Sequence, residues 1–140
     1  MAPRDSAPES AEASAEEAAA VVREVGATFE RYEQALLRHD VEALNAYFLP
    51  AEHSVRYGLE EQHYGIEAIA AWRRTAAPVH PRRCLLRTVV TAYGHDVACV
   101  SAEFSDPQTA GIGRQTQTWV RTAAGWKIAV AHVSVSPPVR

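Results

Sequence analysis

The stretch GRQTQTWVRTAAGWKIAVAHVSVS, Gly113–Ser136, decides the fold. Its two segments, Gly113–Arg121 and Trp126–Ser136, alternate with period two or are strongly β-branched, as strands are. The link Ala123-Ala124-Gly125 is too short for anything but a hairpin turn. Upstream, Arg83–Tyr93 and Val97–Ser105 have the same character. Gly94-His95-Asp96 joins them, and a loop around Asp106-Pro107 leads into Gly113. Four strands with short links make an antiparallel meander.

The chain before the meander is different. Val22, Val25, Phe29, Tyr32 and Leu36 recur at helical spacing, which predicts one amphipathic helix over about 21–38. Asp40 can cap a short second helix that presents Val41, Leu44 and Phe48 and stops at Pro50. Ser54–Gly58 and Gln62–Tyr64 read as two short strands around a polar turn. Gly65 opens a third helix, Ile66–Thr75, with Ile66, Ile69 and Ala70 inward, and Pro78 and Pro81 close that region. Helices followed by a curved, mostly antiparallel sheet make an α+β fold. Such a sheet can wrap the N-terminal helices and leave a cone-shaped hollow.

The chain has 140 residues, the length of one domain. Residues 1–20 are Ala, Glu, Ser and Pro with few large apolar groups, and read as a disordered acidic tail before a single domain over 21–140; the end of the tail, Ala15–Ala20, can extend the first helix. The formal net charge of −3 is uneven. The tail sets Arg4 against five acids, and residues 54–140 hold ten basic and six acidic groups. An excess so modest argues against nucleic acid as a partner. The N-terminus lacks a basic start before an apolar run, so no secretory signal is expected. No apolar run suits a membrane span either. Cys84 and Cys99 fall in strands and read as small buried hydrophobes of a reducing cytoplasm. Neither they nor the scattered histidines have metal-ligand spacing. With no phosphate loop, dinucleotide glycines or nucleophile elbow, any chemistry is expected to be cofactor-free.

Seven residues stand out. Tyr32 interrupts the apolar helix stripe, either as a core aromatic or as a hydroxyl donor at a pocket wall. Arg56 alternates against Val55 and Tyr57. It lies either at a solvated edge or in the hollow, where a buried guanidinium needs an anion. Gln115, Gln117 and Trp119 share one face of a strand too polar for an ordinary internal one. Either they bond to one another or they line a wet cavity. Glu103 and His132 are polar anomalies in neighbouring strands. Period two places His132 on one face with Trp126, Ile128, Val130 and Ser134.

Several segments together resemble a known family. They are Phe29–Leu36, Val55-Arg56-Tyr57-Gly58, Tyr64-Gly65 with Ala68-Ile69, Gly113–Val120, Gly125–Ile128 and Ala131–Ser134. In that order and spacing, across about 21–136, they resemble the AtzH-like family, which includes oxalurate-catabolism proteins. The family belongs to the cone-shaped superfamily of nuclear transport factor 2, ketosteroid isomerase and SnoaL.

The resemblance implies a cone, commonly a homodimer, working beside an amidase in the catabolism of small nitrogen compounds. It implies a small anionic carboxylate or amide substrate. The family chemistry removes a carboxyl group, with amide or carbamate cleavage, from carboxylated ureas such as 1,3-dicarboxyurea, giving allophanate. It further implies pocket positions for Tyr32 and Arg56. Arg56 would clamp a carboxylate, and Tyr32 would protonate the urea nitrogen. A guanidinium beside a phenol strengthens it as an acid. His132, Gln117, Trp119 and Glu103 are further pocket candidates. The fold also houses pure binding modules, so a non-catalytic cone or an accessory subunit stands as the alternative. An isomerase is disfavoured, because Asp40, Asp96 and Asp106 fall in a cap, a turn and a loop.

Overall fold

A computed structural model describes the backbone of residues 7–138 and the side chains of 14–138. Helix α1 (Ala7–Arg38) leads into α2 (Val41–Ala46), strands β1 (Val55–Tyr57) and β2 (Gln62–Tyr64), and α3 (Ile66–Thr75). The meander follows as β3 (Cys84–Ala92), β4 (Val97–Ser105), β5 (Gly113–Thr122) and β6 (Gly125–Val135). One sheet of order β2-β1-β6-β5-β4-β3 results, antiparallel except where β1 runs parallel to β6. The α+β architecture expected from the sequence is the one observed.

The inner face of the sheet packs on α1. Val21, Val25, Phe29, Tyr32, Ala35 and Leu36 are buried on the helix, against Ala98, Val100, Trp119, Trp126 and Ile128 of the strands. Each large apolar side chain so enclosed contributes about 1.5–3 kcal/mol. Val21 takes the core place expected of Val22, which is only half-buried. Asp40 caps α2 as expected, accepting the Ala43 N–H at 3.1 Å.

Helix α1 starts at Ala7, well inside the segment expected to be a disordered tail. Ala and Glu are strong helix formers, and the backbone of α1 extends through them. Residues 1–6 lie outside the described structure.

A second correction concerns β6. Thr118 pairs with Val130 and Trp119 with Ile128, so Ala129 is an extra residue in the ladder. This bulge reverses the side-chain alternation. Trp126, Ile128 and Ala131 are buried, whereas Val130 and His132 face outward and are exposed. Cys84 is exposed and Cys99 half-buried, so neither fits the buried-hydrophobe reading.

Gly113 lies where β5 crosses Phe104 of β4, and a Cβ there would fall on the Phe104 ring. Gly113→Ala is therefore expected to cost about 1–3 kcal/mol by overpacking. Urea unfolding would read this as a lower midpoint with unchanged slope. An unchanged midpoint would show that the ring moves aside freely.

Candidate functional site

A cleft of about 520 Å³ opens at one end of the cone. Its walls come from β1, the turn after β1, the C-terminal half of α3, the segment 77–83, and the ends of β4, β5 and β6. Three arginines line it: Arg56, Arg73 and Arg83.

Arg56 reaches the cleft because β1 alternates. It points inward while Tyr57 points out, and only 8% of it is exposed. Its Nη1 donates to Glu61 Oε1 at 3.1 Å, and its guanidinium lies 3.6 Å from the centre of the Trp72 ring. Glu61 can approach because residue 58 is glycine, where a Cβ would land on the Glu61 carboxylate. Burial holds the Arg56 pKa below its usual value; Glu61 and Tyr32 oppose that shift and Arg73 adds to it. Tyr32 is thus in electrostatic reach of Arg56.

Arg73 follows Trp72 on α3 and lies 4.6 Å from the same indole ring. It is 6% exposed. Arg83 is held differently. Its Nη2 and Nε donate to Glu33 Oε1 and Oε2 at 3.1 and 3.3 Å. Gln115 Nε2 adds a third bond to that carboxylate, and the Arg83 guanidinium rests 3.7 Å from the Phe104 ring centre. This network ties α1 to the start of the meander and to β5.

Behind the cleft the hollow is filled. Trp119 is fully buried, and its Nε1–H donates to Gln117 Oε1 at 3.0 Å. The Tyr32 ring packs edge-on against Tyr47 and Trp119 at 5.8 and 6.3 Å, with Phe29 at 6.4 Å. Gln117 and Trp119 satisfy each other, and neither they nor Tyr32 line the cleft.

Glu103 and His132 leave the candidate pocket altogether. Glu103 is exposed on the outer face, in register with Arg87 and Arg114. His132 stands outside with its ring edge-on to Tyr57 at 5.5 Å. The Ala129 bulge explains the second, since it inverts the face that period two assigns.

Sequence reading also missed residues. Glu33 sits four residues after Phe29 and three before Leu36, so the buried stripe itself could have flagged it. Arg73 continues the inward Ile66–Ile69 spacing by four residues, and it too is buried. His63, opposite Arg56 across the β1–β2 ladder, stacks on Trp72 at 5.1 Å and has a buried Nδ1 without a partner. Burial first, then the Arg56 charge, lower its pKa. In an NMR pH titration its ring should protonate below the usual value of about 6.5. Arg56→Met should move that titration upward, because one repelling charge is gone; a downward move would contradict the assignment. Asp106 reaches the cleft rim, where its Oδ1 accepts the Gln108 backbone N–H at 2.8 Å. Among the described residues no cluster of His, Cys, Asp and Glu could hold a metal ion, and no helix is long and apolar enough to cross a membrane.

A family model described as AtzH-like matches residues 15–138. The chain belongs to the AtzH-like family. A structure of unknown function from the DUF3225 family of Pectobacterium atrosepticum is similar to this AtzH-like chain at 46% identity. The match covers 85% of this chain and 93% of that one, with a TM-score of 0.81. A cystatin-like fold protein from Burkholderia xenovorans is 50% identical over 84% of this chain and 94% of the other, with a TM-score of 0.80. An NTF2-like protein of unknown function from Pseudomonas putida shares the fold at 22% identity and a TM-score of 0.67, over 83% and 87% of the two chains. No curated protein matches. The AtzH-like chain is therefore a small NTF2-like cone, with a guanidinium-lined cleft at one end.

Proposed function

We propose that this cleft belongs to a small cofactor-free enzyme that decarboxylates and hydrolyses a carboxylated urea-type amide, giving an allophanate-like product. The observation behind this reading is Arg56, buried at the cleft wall and in electrostatic reach of the Tyr32 phenol. A guanidinium fork suits a planar carboxylate. In the decarboxylation the bond between nitrogen and the carboxyl carbon breaks. Its electron pair stays on nitrogen, carbon dioxide leaves, and nitrogen takes one proton. Arg56 holds the N-carboxylate, and Tyr32 is the assigned donor of that proton; because Tyr32 lies behind the cleft wall, the substrate nitrogen has to reach past Arg56 to meet it. The decarboxylation alone turns a dicarboxyurea into allophanate; an amide substrate cleaved instead at its C–N bond would take up one water and release a carboxylate and an amine. The enzyme works as a cytoplasmic homodimer, and an amidase acting on the product is its natural partner.

Purified protein supplied with 1,3-dicarboxyurea should release carbon dioxide above the buffer rate and leave allophanate. Release at background level across several carboxylated ureas would favour the second reading, a non-catalytic ligand-binding cone or accessory subunit. Two observations speak for that alternative. Arg56 already has a carboxylate partner in Glu61, and aromatic rings enclose Tyr32. Glu103, which could have paired with Arg56 in such a module, faces the other way.

A further inference from the structure

We propose that Arg73 is a second anion anchor of the cleft, beside Arg56, and that it takes one planar carboxylate of a small amide-bearing substrate. The proposal deepens the reading of the cleft as a site for a carboxylated amide and rests on it.

The argument starts from the pairing of charges. Arg56 is matched by Glu61 and Arg83 by Glu33. Among the described residues Arg73 has no hydrogen-bond or ion-pair partner, although it is 94% buried. A guanidinium in such a place needs an acceptor for its five N–H donors. The Trp72 ring offsets part of the cost of removing it from water but accepts no in-plane hydrogen bond. The like charge of Arg56 on the same indole makes the position worse, not better. Of the cleft carboxylates, Glu61 is engaged on Arg56 and Asp106 on the Gln108 amide, and Glu33 behind them binds Arg83 and Gln115; Glu60 is exposed to solvent and makes no ion pair with Arg73.

The sequence makes the same point. Arg73 occupies the buried stripe of α3 after Ile66 and Ile69, where an apolar side chain would complete the core. Its neighbour Arg74 is exposed and has the usual place of a basic residue in a last helical turn. An arginine at a core position, open to a cleft and without a counter-ion, is satisfied by what enters the cleft.

The ligand class follows from the charge and the shape. Arg73 is the cleft arginine without a paired carboxylate, which fits one ligand carboxylate at this position. Its fork accepts a carboxylate through two parallel hydrogen bonds, a geometry that a neutral amide cannot match with two acceptor oxygens.

Oxamate and oxamide test this directly, since they differ only in replacing a carboxylate by an amide. Calorimetric titration of the full chain should show saturable oxamate binding and none for oxamide. Arg73→Gln should weaken oxamate by about tenfold or more, and Arg73→Lys, which keeps the charge but loses the fork, by several-fold. The lysine variant serves if the glutamine variant does not fold, as judged by its thermal transition. Unchanged oxamate affinity in a folded Arg73 variant overturns the proposal. So does equal binding of oxamide, or no saturable oxamate binding by the unaltered protein. If Glu61→Gln tightens oxamate binding while Arg73→Gln leaves it alone, the anchor is Arg56 instead. Loss of oxamate binding in Arg73→Gln, with no turnover of carboxylated ureas by the parent protein, keeps the anchor and sinks only the enzyme reading.

Discussion

Replacing Glu33 with alanine is expected to cost about 3–5 kcal/mol of folding stability, as the loss of one partner in a buried ion pair does. Both side chains of the Glu33–Arg83 pair are only 7% exposed, so solvent screening gives little relief. The carboxylate takes two hydrogen bonds from Arg83 and one from Gln115. Without it, Arg83 keeps its charge with only the Phe104 face for company, and the buried Gln115 amide loses its acceptor. Arg83 also lines the cleft, so water can reach part of it and the loss should fall toward the lower end of that range. Chemical denaturation of the single variant gives the number directly.

Removing the arginine as well should return much of that loss. In Glu33→Met combined with Arg83→Met no charge is left buried, and replacing a whole pair by apolar groups is often close to neutral. The coupling between the two sites should therefore be large and opposite in sign to the single losses. A Glu33→Ala loss below about 1 kcal/mol would mean that the pair behaves like a solvated surface contact. The network would then not be what fastens α1 to the meander.

How far the sequence carried follows from the range of each signal. The hairpin links at 94–96 and 123–125 and the β-branched runs between them are local, and they placed the meander strands to within two residues at each end. The helix stripe is local too, and it ended α1 at Arg38 as expected. Period two grouped Gln115, Gln117 and Trp119 on one face of β5, which runs unbroken through them, but did not say whether that face is the inner one. The same count failed on β6, where one extra residue at Ala129 inverts everything after it. A bulge is set by how the sheet curves, and no side chain at Ala129 announces it. Site partners were the least legible. Glu33 and Arg83 are fifty residues apart in the chain. Their meeting depends on how α1 lies across the sheet. Arg73 could have been found from Ile66 and Ile69 alone, had the helix spacing been followed one position past Ala70.

Converting Tyr32 to phenylalanine should lower the turnover of a carboxylated urea by about a hundredfold or more, the usual worth of a positioned proton donor. The substitution is well suited to the question. The Tyr32 ring carries the packing, touching Phe29, Tyr47 and Trp119, and phenylalanine keeps that ring. The hydroxyl has no hydrogen-bond partner among the described residues, so its removal should change stability by less than about 1 kcal/mol. A fall in kcat with KM nearly constant would mean that the hydroxyl acts in the transition state and not in ground-state binding. Arg56→Lys should show the complementary pattern, a raised KM, because the bidentate fork on the carboxylate is lost. A Tyr32 with only a structural part would leave kcat untouched in the phenylalanine variant. Equal kcat for the parent and the variant would remove Tyr32 from the mechanism. The proton would then have to come from a group that lines the cleft, and His80 is the one to replace next. Its Nδ1 accepts the Arg82 backbone N–H at 3.0 Å, which leaves the ring proton on Nε2.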